Sequence, residues 1–301
     1  MRKRIPDAIY HNDMKLTAAE PEGDAVRLSF ANGTTAEADL VVFADGYNSF
    51  GRQLLFPEAK LQYRGYTVWR GVVPESAIEQ STHLELHPRF SLRTQQGSFI
   101  SYMLPSRDWR NGPGERQFNW ACYFPLAEED LPSFMVDKHG QPRVGTISAG
   151  SMRPAQDAAL KEMIRDNLPG YYADIVGQST DNQIQQIYTC DLPAYAKDRM
   201  CLKGDAGIMV PPLTGSGGFK GFTNARDLVE HLSQGKPLDE ALSDWAAKQT
   251  QVARSMLRMG YEMEDAFIWN TIDLATESPE DCAAWFARSV HIAKEFSYFA
   301  A

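Results

Sequence analysis

A loop rich in glycine and proline constrains the fold of this chain more than any other segment. Residues 204–218 hold five glycines and two prolines, which disfavours both a helix and a strand. A short apolar segment, Met200 to Lys203, precedes the loop, and a run with helical periodicity follows it. The pattern predicts a strand, an irregular turn and a helix, as in α/β folds. On the buried side of that helix the spacing predicts Phe219, Phe222, Ala225, Leu228, Val229 and Leu232.

A second apolar segment that ends in a polar turn lies near the start of the chain. Residues 38–44 read A-D-L-V-V-F-A and lead into Asp45-Gly46. A continuous apolar run is typical of a strand covered on both faces, so we expect a central strand here. Ser49 is predicted to cap a short helix that Pro57 ends. A carboxylate and a glycine after such a strand lie where open α/β sheets bind ligands.

The segments around these two motifs complete the outline. Residues 14–31 alternate as short strands and reach a turn at Asn32-Gly33, which predicts a hairpin. Ala155 to Leu168 is predicted to be helical and Gln183 to Cys190 a strand. Residues 238–260 predict a longer helix whose apolar stripe is interrupted at Gln249. Aromatic-rich strands of an antiparallel sheet are predicted at Tyr66 to Val73, His83 to Leu92, Phe99 to Leu104 and Gln117 to Tyr123.

Charge and cysteine content exclude several classes of partner. The net charge is −9, the opposite of what nucleic acid or an anionic membrane surface attracts, so we expect neither as a partner. The longest strongly apolar run, residues 40–44, is far shorter than the roughly 18 residues of a membrane-spanning helix. The basic start of the chain is followed by Ile5-Pro6-Asp7 rather than by a long apolar run, so export is not expected. The four cysteines form no C-x-x-C pair, and we expect reduced thiols in the cytoplasm.

Each part of the glycine loop has a chemical use. Asp205, which follows the short strand, can accept hydrogen bonds from ligand hydroxyls, and the glycines let a flat ligand approach the backbone. The amides at the start of the next helix, together with its dipole, favour a developing anion.

Taken together, the two motifs resemble a known family. A-D-G-x-x-S-x-x-R over residues 44–52 and G-D-A followed by P-x-x-G-x-G over residues 204–217 are similar to FAD-dependent aromatic hydroxylases of the para-hydroxybenzoate hydroxylase type. The segment from Gly65 to Gly71 and the step from Gly217 to Lys220 look most like the 2,6-dihydroxypyridine 3-hydroxylase branch. Either motif alone is weak, whereas both in this order, about 160 residues apart around a β-rich segment, are a specific signal.

The resemblance implies an activity and a domain organisation. The activity is that of an FAD-dependent monooxygenase, which uses NADH or NADPH and O2 to hydroxylate an electron-rich aromatic or N-heteroaromatic ring of the phenol or hydroxypyridine type. The alternatives are a flavin epoxidase or reductase of the same fold, and a flavin-free remnant that acts as a binding domain. The expected fold class is mixed α/β (α+β). It comprises a three-layer FAD-binding domain in residues 1–62 and 190–237, an inserted antiparallel substrate-binding sheet in residues 63–189, and a C-terminal helical region in residues 238–301 that could pair two subunits.

The site residues follow from the resemblance one position at a time. Asp205 would bond the ribityl chain of FAD, and Pro212, the expected catalytic position, would lie against the reactive edge of the isoalloxazine ring. The amides near Gly217 and Gly218 would hold the N1 and O2 edge of the ring. Further cofactor contacts are expected at Gly204, Ala206, Gly215, Asp45, Gly46 and Arg52, and the substrate pocket at Tyr66, Trp69, Tyr102, Phe118 and Trp120.

The sequence also departs from the family pattern. Members begin with a strand, a G-x-G-x-x-G turn and a helix that hold the FAD pyrophosphate. This sequence has no such segment. The alternatives are a truncated chain, an incomplete gene product and one half of a split protein, and the missing FAD-binding segment is expected from a longer gene product. Gly207-Ile208 also stands where many relatives have Ala-His.

Some of these residues have a structural interpretation beside the functional one. Asp205 could cap the next turn, and Asp45 could serve only its own turn. Trp69 and Arg70 could be a core aromatic residue and a neighbouring ion pair.

A metal site is conceivable at one predicted strand. His83, Glu85 and His87 alternate onto one face of it, but Pro88 ends the strand and no fourth ligand is near in sequence. We therefore expect no metal.

Overall fold

The computed structural model describes residues 4–81, 84, 89–273 and 276–289. These residues form strands and helices that we number in chain order. No helix among them is both long and apolar enough to cross a membrane. The strands are β1 (Leu16–Glu22), β2 (Ala25–Phe30), β3 (Thr35–Ala38), β4 (Val41–Phe43), β5 (Gln62–Pro74), β6 (Arg89–Ser91), β7 (Ser98–Leu104), β8 (Gln117–Pro125), β9 (Thr146–Ile147), β10 (Gln183–Thr189), β11 (Ala196–Lys197) and β12 (Met200–Leu202). The α-helices are α1 (Phe50–Leu55), α2 (Leu131–Phe134), α3 (Pro154–Asn167), α4 (Gly170–Gly177), α5 (Gly217–Leu232), α6 (Leu238–Glu264) and α7 (Pro279–Ser289).

The chain divides into two compact units. The first comprises Met1–Lys60, Cys190–Val210 and Gly215–Leu257, and the second comprises Leu61–Thr189, Pro211–Thr214 and Arg258–Ala301. The region 238–301, predicted as one helical part, is therefore divided between the two units. The mixed α/β class with an antiparallel sheet and C-terminal helices, predicted from the sequence, is confirmed.

Two small sheets belong to the first unit. One is antiparallel, in the order β1-β2-β3, and Gly33, with φ +83°, lies in the turn that joins its last two strands. The other has the order β11-β12-β4, in which β12 runs parallel to β4. The strand predicted over residues 38–44 is shorter than expected, and within the described residues its single strand neighbour is β12, so the expectation of a central position is wrong for this part of the chain.

Helix α1 forms as the sequence predicts and packs on β4. The Ser49 hydroxyl accepts a hydrogen bond from the Arg52 amide at 2.9 Å, which is the N-cap that its residue type favours. A Cβ at Gly51 would overlap the ring of Phe43. Glycine at this position therefore allows the helix and the strand to approach each other.

Helix α5 buries its polar side, contrary to the prediction. Phe222 and Val229 are 60% and 64% exposed, and Phe219 and Leu232 are exposed as well. Of the six residues predicted to be buried, Leu228 is buried and Ala225 half-buried. The inner side carries Lys220, Thr223, Asn224, Asp227 and Leu228.

The partner of that polar side is helix α6. Gln249, which the sequence shows as an interruption of an apolar stripe, accepts a hydrogen bond from the Asn224 amide at 2.8 Å and donates one to Asp227 at 3.0 Å. The Trp245 indole donates to the backbone oxygen of Asn224 at 3.1 Å. These bonds satisfy the buried polar groups, which explains why the polar face can lie inside.

The second unit contains a six-stranded antiparallel sheet in the order β6-β7-β8-β5-β10-β9, which confirms the predicted sheet type. Of the strand predicted from His83 to Leu92, β6 is present, whereas His83 and residues 85–88 lie outside the described residues. The conceivable metal ligands His83, Glu85 and His87 are among them.

Helices α3 and α4 cover one face of this sheet. Helix α3 matches the prediction within one residue at each end, whereas α4 was not predicted. Pro169, interpreted as a stop signal, precedes the first turn of α4, a position that proline tolerates because it needs no amide hydrogen there. The core between helices and sheet includes Trp69, Phe99, Trp120, Leu160, Ile164 and Val176.

Candidate functional site

The G-D-A segment forms a tight turn directly after β12. Gly204 has φ +60°, a left-handed conformation that favours glycine. Its amide donates a hydrogen bond to the Asn224 side-chain oxygen at 3.0 Å. Because Asn224 is also bonded to Gln249, helices α5 and α6 together fix the start of the turn.

Asp205 presents its carboxylate to solvent from this turn. The side chain is 53% exposed, and the Lys220 ammonium lies 3.3 Å from Oδ1. Lys220 is itself fully buried and also donates to the backbone oxygen of Ile208. Burial lowers the pKa of Lys220, while the charge of Asp205 and the hydrogen bond to it act in the opposite direction. The carboxylate therefore keeps acceptor capacity for a ligand while a buried cation holds it in place.

Arg52 joins the two sequence motifs through backbone oxygens. Its guanidinium donates to the carbonyl oxygens of Asp205 at 3.0 Å and Ala206 at 3.3 Å, and also to that of Tyr47. The side chain is buried, and burial lowers its pKa, against the raising effects of Cys190, Asp45 and Asp205. The structure thus places Arg52 behind the G-D-A turn, where it holds the backbone.

Asp45 is occupied within its own motif. One carboxylate oxygen accepts from the Ser49 hydroxyl at 2.6 Å, and the other accepts from the Phe50 amide at 2.7 Å and the Gly51 amide at 3.3 Å. Gly46 has φ +78° and open space around it, so glycine is favoured here by the left-handed backbone conformation and not by a close contact. In this structure the contacts of Asp45 anchor the start of α1.

The glycines after the proline pair leave open space beside the backbone. A Cβ added at Gly215, Gly217 or Gly218 would meet no atom within 4 Å. Gly217 and Gly218 are the first residues of α5, a helix of 16 residues, so amide hydrogens and the positive end of the dipole lie at this opening. The open glycines and the exposed Asp205 carboxylate therefore fit a flat ligand that carries hydroxyl groups.

Pro212 lies in the proline segment, which belongs to the second unit. Its neighbour Pro211 is buried, and Gly260 of α6 has no room for a Cβ because the Pro211 ring lies there. The Thr214 hydroxyl donates to the Pro211 oxygen at 2.9 Å. Pro212 itself is exposed, next to Pro211, whose ring packs against Gly260 of α6.

The structure does not bring the five predicted substrate residues onto one surface. Gly71 and Val73 lie opposite Trp120 and Phe118 in register, and Trp69, Phe118 and Trp120 all belong to the core against α3 and α4. Consecutive strand residues point to opposite faces. Tyr66 and Tyr102 therefore lie on the other face, where Tyr102 is 41% exposed and Tyr66 is fully buried.

The buried Tyr66 belongs to a cluster around Glu264. Its hydroxyl donates a hydrogen bond to Glu264 Oε1 at 2.9 Å. The Arg64 guanidinium donates to both oxygens of the same carboxylate, from Nη2 to Oε2 at 2.7 Å and from Nε to Oε1 at 3.2 Å. Burial raises the pKa of Glu264, while its bonds to Arg64 and Tyr66 lower it. These bonds fix the last turn of α6 to β5.

Sequence reasoning missed several residues that shape the site. They are Lys220, Asn224, Asp227 and Gln249 in the first unit and Glu264 in the second. A signal for the first three exists, because polar residues at positions 220, 224 and 227 repeat with helical spacing. No local pattern marks Glu264, since its partners lie about 200 positions away.

Comparison with known proteins shows that the chain has the fold of FAD-dependent aromatic hydroxylases, as the two motifs predict. Residues 63–189 match the family model described as FAD binding domain-like. The chain is 26% identical over 250 residues to 2,6-dihydroxypyridine 3-monooxygenase of Paenarthrobacter nicotinovorans, which covers 82% of this chain and 62% of that protein. It is 37% identical over 75 residues to 6-hydroxynicotinate 3-monooxygenase of Pseudomonas fluorescens, over 25% of this chain and 20% of that protein.

Solved structures agree on the fold. The 2,6-dihydroxypyridine-3-hydroxylase from Arthrobacter nicotinovorans superimposes with a TM-score of 0.80 at 23% identity, over 92% of this chain and 70% of that chain. A salicylate hydroxylase substrate complex gives a TM-score of 0.70 at 16% identity, over 95% and 69%. The resemblance to the dihydroxypyridine hydroxylase branch is thereby confirmed. The chain spans 62% of the length of the curated dihydroxypyridine relative.

Proposed function

We propose that this chain is the larger part of an FAD-dependent monooxygenase that hydroxylates an electron-rich aromatic or N-heteroaromatic ring, with NADH or NADPH and O2 as co-substrates. The observation that carries the proposal is the half-exposed Asp205 carboxylate, beside glycines with open space at the start of a helix. The names of the relatives, which act on hydroxypyridines and hydroxynicotinate, support the substrate class.

The residues of this chain have distinct tasks in that proposal. Asp205 accepts hydrogen bonds from the ribityl hydroxyls, and the buried Lys220 ammonium, 3.3 Å away, holds its carboxylate in place. The amides of Gly217 and Gly218 donate to the N1 and O2 edge of the ring and favour the negative charge of its reduced form. Pro212 offers an apolar surface to the reactive edge. The flavin, when bound, supplies the redox chemistry, accepting a hydride from the nicotinamide and delivering one oxygen atom of O2 to the substrate.

A longer polypeptide is part of the same proposal. The contacts described here serve the ribityl chain and the ring, and a G-x-G-x-x-G unit from the longer gene product would hold the pyrophosphate. The C-terminal helices are proposed to pair two subunits, which the half-exposed Phe286 of α7 supports. The free thiols of the four cysteines support a cytoplasmic location.

Flavin binding by the polypeptide completed with its upstream segment tests the proposal. We expect the purified protein to be yellow and to oxidise NADH or NADPH faster when a hydroxypyridine is present. Asp205→Asn should lower the FAD affinity by about tenfold, since a bond to a charged acceptor contributes about 1.5–3 kcal/mol. Asp198→Asn, an exposed position of the same unit, is the control. Equal affinity of both variants and the wild type would remove Asp205 from the cofactor site.

A further inference from the structure

The six-stranded sheet is unusual in its charge. The chain as a whole has a net charge of −9, yet strands β5 to β10 contain no Asp or Glu and carry three arginines. Because residues alternate between the faces, Arg70 and Arg89 lie on the face opposite α3 and α4. Arg64 lies on that face too, since it shares Glu264 with Tyr66. Register places Arg89, Ile100, Ala121 and Arg70 in one row across four strands.

The three arginines differ in how their charge is compensated. Arg64 is paired with Glu264 at 2.7 Å. Arg89 lies over the Phe267 ring, 4.1 Å from its centre, and its Nη1 has no hydrogen-bond partner among the described residues. Arg70 is exposed and has no carboxylate partner within the described part of the chain. The ion pair considered for Arg70 from the sequence is therefore absent there, and its guanidinium is available to a ligand.

Neutral side chains that can form hydrogen bonds lie near Arg70 on this face. Gln183 lies directly opposite it on β10, while Asn119 and Tyr102 face each other one row further along. Tyr123 occupies the adjacent row; burial raises its pKa to about 12, whereas the charges of Arg89 and Arg70 lower it. Among the residues that the structure describes, the face therefore combines one cation without a carboxylate partner or an aromatic ring against it, Arg70, with hydroxyl and amide groups that can serve as donors or acceptors.

We propose that Arg70 sets the charge class of the substrate, so that this face binds a planar aromatic or N-heteroaromatic ring bearing an anionic oxygen group. A guanidinium matches a carboxylate or ring oxyanion with paired hydrogen bonds, and Tyr102 and Asn119 are placed to bind further ring substituents. The assignment of this ligand as the substrate rests on the proposed function, whereas the binding itself does not.

Two ligands that differ by one carboxylate test the proposal on the 301-residue chain without flavin. Titration calorimetry compares 6-hydroxynicotinate with 2-hydroxypyridine. We expect the acid to bind at least about tenfold more tightly, and Arg70→Gln to remove the difference while leaving the affinity for 2-hydroxypyridine unchanged. Arg70→Lys should retain part of the preference, because it keeps the charge and loses the paired geometry.

Controls separate the proposal from a folding defect and from the proposed function. Arg165→Gln, an exposed arginine on α3, should bind both ligands like the wild type, and the melting temperature of each variant checks its fold. A wild-type chain that binds neither ligand, or that binds both equally, would overturn the proposal, as would an Arg70→Gln variant that keeps the preference. Because the measurement is made without flavin, its result decides the proposed role of Arg70 independently of the proposed monooxygenase activity.

Discussion

Arg52 Nη1 lies 3.0 Å from the backbone oxygen of Asp205, so the side chain of one motif holds the peptide of the other. The two residues are 153 positions apart. Because Arg52 bonds the main chain, the Asp205 carboxylate is left to face outward. The two motifs that the family resemblance joins by sequence are thus one hydrogen-bonded structure.

Loss of the Arg52 guanidinium should therefore act on stability. Arg52→Met removes the donors to the Tyr47, Asp205 and Ala206 oxygens, and we expect the free energy of unfolding to fall by about 3 kcal/mol, since several buried acceptors lose charged donors. Urea unfolding measures it. Arg52→Lys should recover only part of the loss, because an ammonium lacks the fork geometry. Stability equal to the wild type in Arg52→Met would show that water replaces the guanidinium.

Gly218→Ala separates a ligand contact from a packing role. The added Cβ meets nothing within 4 Å in this structure, and alanine favours a helix by up to about 1 kcal/mol over glycine, so the melting temperature should stay the same or rise slightly. In the completed polypeptide the methyl group should displace the flavin ring, lowering its reduction potential and slowing its reduction by NADH or NADPH. Gly177→Ala, another glycine with open space around it, should leave both unchanged. A wild-type potential in Gly218→Ala would leave the cofactor assignment to Asp205 and Pro212.

Buried Lys220 predicts a pH dependence in the alkaline range. Burial lowers the pKa of Lys220 below its ordinary 10.5, so above its folded-state pKa the unfolded chain binds more protons than the native one. Stability contributed by this residue therefore rises as pH increases toward 10.5. Urea unfolding between pH 7 and 10 measures the free energy of unfolding of the wild type and of Lys220→Met. As the pH rises, the free energy of the wild type should increase relative to that of the variant. The exposed Lys197→Met should show no such trend, and a parallel pair of curves for Lys220→Met would contradict the prediction.

The Glu75–Arg116 pair predicts the opposite dependence in acid. Hydrogen bonds from Arg116 hold the pKa of Glu75 at about 2, below its ordinary 4.5, and the carboxylate is buried with an Nη2 contact of 2.7 Å. The ionised Glu75 therefore contributes fully to the free energy of unfolding above pH 4.5, and this contribution is lost as the pH falls toward 2. Glu75→Gln should cost about 2–3 kcal/mol at pH 7, and the difference from the wild type should shrink in acid. Exposed Glu79→Gln is the control; a cost for Glu75→Gln that is independent of pH would indicate that packing rather than charge is lost.

Local patterns predicted the elements whose causes are local. The Ser49 cap, the Asn32-Gly33 turn, the strand before Gly204 and the period-two sheet all follow from a few neighbouring residues. Periodicity identified two sides of α5 but not which one faces the protein, since polar partners on α6 decide this. Alternation along β5 already places Tyr66 and Trp69 on opposite faces; both were expected in one pocket because the family resemblance, rather than the period, supplied that assignment. The contact of Arg64 with Glu264 depends on the folding of distant segments alone.

Helix α5 buries polar and charged side chains and exposes Phe222 and Val229. Its apolar positions should therefore tolerate substitution better than its polar ones, the reverse of most helices. A saturation library across this helix should accept polar substitutions at its two outward apolar positions with little loss of soluble chain. It should reject leucine or valine at Asn224 and Asp227, even though these positions are enclosed. Hydrogen bonds are directional whereas apolar contacts are not, so Asn224 and Asp227 admit a single rotational setting of the helix. The orientation of the amides at Gly217 and Gly218 is thus set by two polar side chains that lie about two to three turns further along the helix.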